Sequence, residues 1–138
     1  NPLRLEIIPA PENVAEKMKI MPGDPVIRCL RDMSDNGERT GVDVAYLDLA
    51  TFRDLKIEDL EDVKGNLYKL YEEKLGVFIA DVTDILEFVI VDKEIQKICD
   101  LPLGTPLFFV TRQSRLLNKK TVEIRYEYCS AVNYRLRI

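Results

Sequence analysis

The sequence predicts an α+β fold, an antiparallel β-sheet flanked by short helices. Three observations carry this reading: runs of alternating apolar and polar residues, turn signals that join neighbouring runs into hairpins, and brief helical stretches between them. The 138 residues are 46% apolar, which suits one domain over 1–138 rather than two.

The elements follow in order. Leu3 to Ile8 alternates and reads as a strand, closed by Pro9 and Pro11. Glu12 to Lys19 reads as a helix with Val14, Ala15 and Met18 on one face, and Pro22-Gly23 ends it. Pro25 to Arg31 is an apolar-rich strand, Ser34-Asp35-Asn36-Gly37 a turn, and Gly41 to Leu49 the returning strand of a hairpin. Thr51 to Lys64 is acidic and irregular, consistent with two short helical turns. Asn66 caps a helix that presents Leu67, Leu70, Tyr71 and Leu75 together and stops at Gly76. Val77 to Val91 is rich in β-branched residues and reads as one long strand. Asp92 caps a short helix with Ile95, Ile98 and Cys99 aligned, closed by Pro102 to Gly104. Leu107 to Leu117 and Thr121 to Tyr134 are two further strands joined by Asn118-Lys119-Lys120.

Half of this order repeats. At an offset of 81, Val14 matches Ile95, Met18 Cys99, Gly23 Gly104, Pro25 Pro106 and Arg31 Arg112. Past the hairpin turn the offset becomes 80, and Val42 matches Val122, Asp43 Glu123 and Tyr46 Tyr126. Two helix–hairpin units related by a pseudo-two-fold axis and sharing one sheet are expected, with a pocket near the axis.

Composition excludes several functions. The chain has no His, which removes the commonest general base and metal ligand. Its three Cys lack metal-ligand spacing, and Cys29 and Cys99 sit among apolar residues as expected of buried, reduced thiols in the cytoplasm. No metal or cofactor is implied. The net charge of −4 and the lack of a basic block argue against this chain gripping DNA by itself. No run approaches the roughly 18 apolar residues of a membrane span, and no signal peptide opens the chain. It begins Asn1-Pro2 without an initiator Met, as expected of an excised fragment.

Candidate site residues each carry two readings. Arg31 is either a guanidinium for a phosphate or carboxylate, or a surface Arg paired to the acidic 51–64 segment. Arg28 is a weaker candidate, and Arg112 equally a structural ion-pair partner. Asp43 and Glu123 sit at repeat-related positions in apolar strands, either on a solvated sheet face or in a shared pocket. Tyr68 is either core or ligand contact. Tyr128 and Tyr126 alternate, so they occupy one face.

The ordered set resembles the UTRA domain, the effector-binding domain of the HutC branch of GntR-type transcription regulators. Nearly the whole chain takes part: the helix and glycine turn of 11–27, Arg31 to Gly37, Asp43-Val44-Ala45-Tyr46-Leu47, Asn66-Leu67-Tyr68 to Gly76, Asp92 to Arg112, and Val122-Glu123 through Tyr134. Three departures stand out. Met33 replaces the second Arg of an Arg-x-Arg, Asp43 stands where Glu is usual, and Cys129 to Tyr134 departs from the common Tyr-Arg-Gly-Asp-x-Tyr. The resemblance implies a chorismate lyase-like fold and a homodimer. It implies a small anionic effector, such as a sugar phosphate, held by Arg31, Asp43, Tyr68, Glu123, Tyr128 and Tyr134. DNA would be bound only through an N-terminal winged helix-turn-helix domain absent from this chain. The competing readings are a chorismate lyase-like enzyme, which the absence of His and of a nucleophile motif disfavours, and a ligand-free dimerisation domain.

Overall fold

The computed structural model describes residues 3–35, 37–61 and 67–132. Its centre is a six-stranded antiparallel sheet in the order β1-β2-β3-β6-β5-β4. The strands are β1 Leu3–Pro9, β2 Pro25–Asp35, β3 Glu38–Asp48, β4 Asp81–Ile90, β5 Pro106–Arg115 and β6 Thr121–Ser130. Helix α1 (Glu12–Met18) follows β1 and α5 (Lys93–Cys99) follows β4. Between β3 and β4 lie the short helices α2 (Leu49–Phe52), α3 (Ile57–Glu61) and α4 (Leu67–Leu70), the last widening into a π-helical turn over Tyr71–Leu75. No helix of the described residues is long and apolar enough to cross a membrane.

The sequence repeat is a structural one and extends to whole β–α–β–β units. In the first unit Ala10 N–H donates to Asp24 O and Gly23 N–H to Ala10 O. In the second Val91 N–H donates to Thr105 O and Gly104 N–H to Val91 O, the same pair of bonds 81 residues on. Both helices end on a non-glycine residue in the left-handed region, Lys19 (φ 57°) and Asp100 (φ 53°). The units meet where β3 pairs with β6, with Ala45 opposite Arg125. Those two residues are also repeat mates, so the pseudo-two-fold axis runs through that pair.

Alternation along the strands sorts side chains between the two faces. One face buries Ile27, Cys29, Ala45 and Leu47 under Phe52, Leu55, Leu60 and Tyr71 of the 49–77 segment. The other face carries two smaller cores, one where α1 packs Val14, Ala15 and Met18 against Val26 and Ile124, the other where Cys99 of α5 meets Val42, Val44 and Leu107. Each helix crosses the axis, α1 lying over β6 and α5 over β3. Cys29 and Cys99 are buried free thiols.

Three expected boundaries shift. The strand expected over Val77 to Val91 enters the ladder only at Asp81. The left-handed Gly76 reverses the chain and Val77 N–H bonds back to Tyr71 O at 3.0 Å, which ties residues at the start of that run to the preceding helix. β2 runs past Arg31 to Asp35, and β6 is described as strand only to Ser130. The cap expected from Asn66 lies outside the described residues.

Candidate functional site

Beside the axis, on the face covered by the 49–77 segment, lies a cavity of about 250 Å³ lined by Arg31, Met33, Asp43, Tyr68, Arg112, Arg125 and Glu127, with Leu67 at its side. The sheet register explains this gathering. Arg31 of β2 stands opposite Asp43 of β3, Asp43 opposite Glu127 of β6, and Arg112 of β5 opposite Arg125. All of these side chains therefore fall on one face.

The floor is a buried polar network centred on Arg125, which is 4% exposed. Its Nη1 donates to Asp43 Oδ2 at 2.5 Å, and its Nη2 donates to Glu123 Oε2 at 2.7 Å and to the Tyr71 hydroxyl at 3.1 Å. Tyr71 donates in turn to Glu123 Oε2 at 2.7 Å. The other oxygen of Glu123 accepts from Ser114 Oγ at 2.9 Å and from the Tyr68 hydroxyl at 3.1 Å. Burial pushes the Glu123 carboxyl up, but the Arg125 charge and the hydrogen bonds it accepts outweigh this and hold it below its ordinary value. Burial, with Glu123 adding to it, pushes the Tyr71 hydroxyl well above its ordinary range, so it stays an O–H donor.

Two groups on the wall are left unsatisfied. Asp43 Oδ1 is buried and accepts no hydrogen bond from any described group, which is costly unless something else supplies a donor. Arg31 is half-buried and pairs with no carboxylate among the described residues, its cross-strand neighbour Asp43 meeting Arg125 through Oδ2 instead. Arg112, in contrast, is clamped in a bidentate pair by Asp84 at 2.7 and 2.8 Å, and its Nη1 reaches the Tyr68 hydroxyl at 3.5 Å. Burial and the Asp43 charge push Glu127 above its ordinary value.

Of the six residues expected from the sequence, the structure brings Arg31, Asp43 and Tyr68 together on the cavity wall. Glu123 lies beneath it, wholly buried with both oxygens occupied, and so acts on Asp43 only through Arg125. Tyr128 faces away, into a separate hollow on the opposite face of the sheet. Tyr134 lies outside the described residues. The expected partnership of Asp43 and Glu123 takes an indirect form: the two acids flank the axis and share one guanidinium. Sequence reasoning passed over Arg125, Tyr71, Ser114 and Glu127. A signal for Arg125 was present, since it stands two residues from Glu123, and hence on the same face, and breaks the repeat by replacing Ala45.

The wall can supply a guanidinium to an anion and carboxylate oxygens to hydroxyl or amino donors. It offers no described nucleophile set beside a base. Ser114 is wholly buried under Tyr68, and burial raises the Cys129 thiol to about 11. Among the described residues no group of His, Cys, Asp and Glu could hold a metal.

Residues 2–135 match the UTRA domain family. This chain belongs to that family. The UTRA domain superposes along its whole length on a ligand-binding domain assigned to a GntR-family transcriptional regulator of Bordetella bronchiseptica, with 28% identity, a TM-score of 0.85 and 87% of that chain covered. It shares its fold with a GntR-family regulator of Enterococcus faecalis at 15% identity, a TM-score of 0.83 and 97% of that chain covered, the match taking in all of this one. The PhnF structure of Mycobacterium smegmatis is similar over 99% of this chain but 60% of its own, at 18% identity and a TM-score of 0.78. The α+β fold with a six-stranded antiparallel sheet is thus that of GntR-family regulatory domains.

Proposed function

We propose that this UTRA domain is the effector-binding and dimerising part of a cytoplasmic GntR regulator of the HutC branch. In this reading it is not an enzyme, and it controls DNA binding by a domain outside this chain. The observation that carries the proposal is that one small cavity is lined both by Arg31, without an ion-pair partner among the described residues, and by Asp43, whose Oδ1 accepts no described hydrogen bond. A buried acceptor and a half-buried cation, each without a partner among the described residues, are what a ligand with an anionic group and a hydroxyl or amino donor would complete. Sugar phosphates are the first candidates, with the anion on Arg31 and sugar hydroxyls or an amine on Asp43 and Glu127. Met33 leaves one guanidinium where the related domains often have two, so singly charged carboxylates stand beside them as candidates. Occupancy would shift the dimer between two arrangements, a coupling typically of ~1–3 kcal/mol.

Calorimetric titration of the domain with sugar phosphates, amino acids and fatty acids tests this, repeated on Arg31→Ala. Since Arg31 has no ion-pair partner among the described residues, its removal should change folding stability by no more than about 0.5 kcal/mol. Binding of the effector should weaken by roughly tenfold or more, the worth of one charge-assisted contact. An effector that binds Arg31→Ala as tightly as the parent would remove Arg31 from the site.

A further inference from the structure

The opposite face of the sheet carries a second hollow, of about 280 Å³, in the gap that α1 and α5 leave uncovered where the pseudo-two-fold axis emerges. Its floor is aromatic. Tyr46 and Tyr126, repeat mates, meet edge to face with ring centroids 6.1 Å apart, and Tyr128 lies beside them. Leu30, Val44 and Ile98 complete the apolar surface.

Its charged residues are all cations: Arg4 from β1, Arg28 from β2 and Lys97 from α5. Arg28 is paired to Glu6, but among the described residues Arg4 and Lys97 have no carboxylate partner. This is a locally positive rim on a chain whose net charge is −4. The hydroxyl of Tyr126 accepts from Asn13 Nδ2 at 2.7 Å, whereas those of Tyr46 and Tyr128 have no described hydrogen-bond partner. Burial pushes Tyr126 and Tyr128 above their ordinary values, so these hydroxyls remain donors and do not compete as anions.

We infer that this hollow is a second ligand site, distinct from the Arg31 cavity, that takes an aromatic carboxylate. The ring would lie on Tyr46, Tyr126 and Tyr128, and the carboxylate would reach Arg4 and Lys97. Sugars fit poorly, because no carboxylate lines this hollow to accept from hydroxyls, unlike the wall formed by Asp43 and Glu127. The two sites stand back to back. Leu30, Val44, Tyr126 and Tyr128 line one, and their sequence neighbours Arg31, Asp43, Arg125 and Glu127 line the other. A ligand that fixes β2, β3 and β6 from one face thereby restrains the groups that meet the effector on the other.

Naphthoate, followed by two-dimensional amide NMR of this chain, tests the inference. Saturable shifts are expected at Leu30, Val44, Tyr46, Tyr126 and Tyr128. Neutral naphthamide should bind about tenfold more weakly, as should naphthoate to the Arg4→Gln/Lys97→Gln double variant. Both substituted side chains are exposed, and the dispersion of the variant's spectrum reports directly that it is folded. Arg31→Ala should leave naphthoate binding unchanged, which separates this site from the proposed effector cavity. The inference is overturned if millimolar naphthoate shifts none of these residues or if shifts are confined to β4 or the Arg31 face. It is equally overturned if naphthamide or the folded double variant binds as tightly as the parent pair.

Discussion

Arg125 stands between two acids of the same sign and makes their coexistence in the interior possible. Asp43 and Glu123 each donate nothing and accept from the one guanidinium, so the three side chains behave as a single buried unit. Removing one member of such a unit strands the others, and breaking a buried pair costs roughly 3–5 kcal/mol. Glu123→Gln keeps the shape and part of the hydrogen bonding, so a loss of about 3 kcal/mol at neutral pH is expected by denaturant unfolding. The dependence on pH gives this a sharper signature. The folded value of Glu123 lies below its ordinary 4.5, so the stability it contributes is fully present above that pH. It is lost as pH falls through the lower, folded value. The parent and Glu123→Gln should therefore converge in stability on acidification, since a protonated Glu and a Gln are nearly alike. A gap that stays constant across that range would mean that Glu123 is not ionised in the fold. At this scale the sequence was half legible. Asp43 and Arg31 could be read because a charge in an apolar strand is conspicuous. Tyr128 was expected at one site with Arg31 and Asp43 but lines the hollow on the opposite face with Tyr126, because alternation pairs residues within a strand but does not say which cavity each side serves.

The elements were easier to read than the site they build. Hairpins were legible because turn residues and alternation are local, and the repeat was legible because two copies of one unit carry the same Pro and Gly positions. What stayed hidden was the order of strands. β4 looks like a core strand by its apolar, β-branched composition, yet it occupies the sheet's edge with Ile85, Leu86, Phe88 and Ile90 all exposed. Non-local pairing decides this, and no window of residues contains it. The seam between the two units depends on an equally non-local contact. Gly41 of β3 approaches β6 so closely that a Cβ there would lie 1.8 Å from the backbone oxygen of Tyr128. Backbone, unlike a flexible side chain, has little room to yield, so the strands would have to part. Gly41→Ala should destabilise the domain by roughly 1–3 kcal/mol, as overpacking does. It should also disturb the adjoining Arg31 cavity through Asp43, two residues away. Thermal unfolding together with effector titration would register both effects; unchanged melting would contradict the close approach.

At the scale of the whole molecule, the exposed edge is where a second copy would attach. A long unpaired edge strand with apolar side chains invites pairing, and proteins ordinarily guard such an edge with Lys, Pro or unpaired charge. β4 has no Lys and no Pro. Two of its three acids are neutralised from β5, Asp81 by Arg115 at 2.8 Å and Asp84 by Arg112 at 2.7 Å. Phe88 and Ile85 are 70% and 57% exposed, on opposite faces of the strand. A two-fold pairing of β4 with its copy would satisfy the open backbone groups and cover apolar surface on both faces at once. It would also link assembly to the effector cavity, because the Arg112 that lines the cavity is the one that clamps Asp84 on β4. Sedimentation equilibrium of the parent should accordingly give a dimer, with a melting temperature that rises with protein concentration. Phe88→Lys should shift the equilibrium to monomer while leaving the buried Arg125 network, and hence effector binding by the monomer, in place. A parent that sediments as a monomer at high micromolar concentration, or a Phe88→Lys variant that stays dimeric, would place the subunit contact elsewhere on the domain.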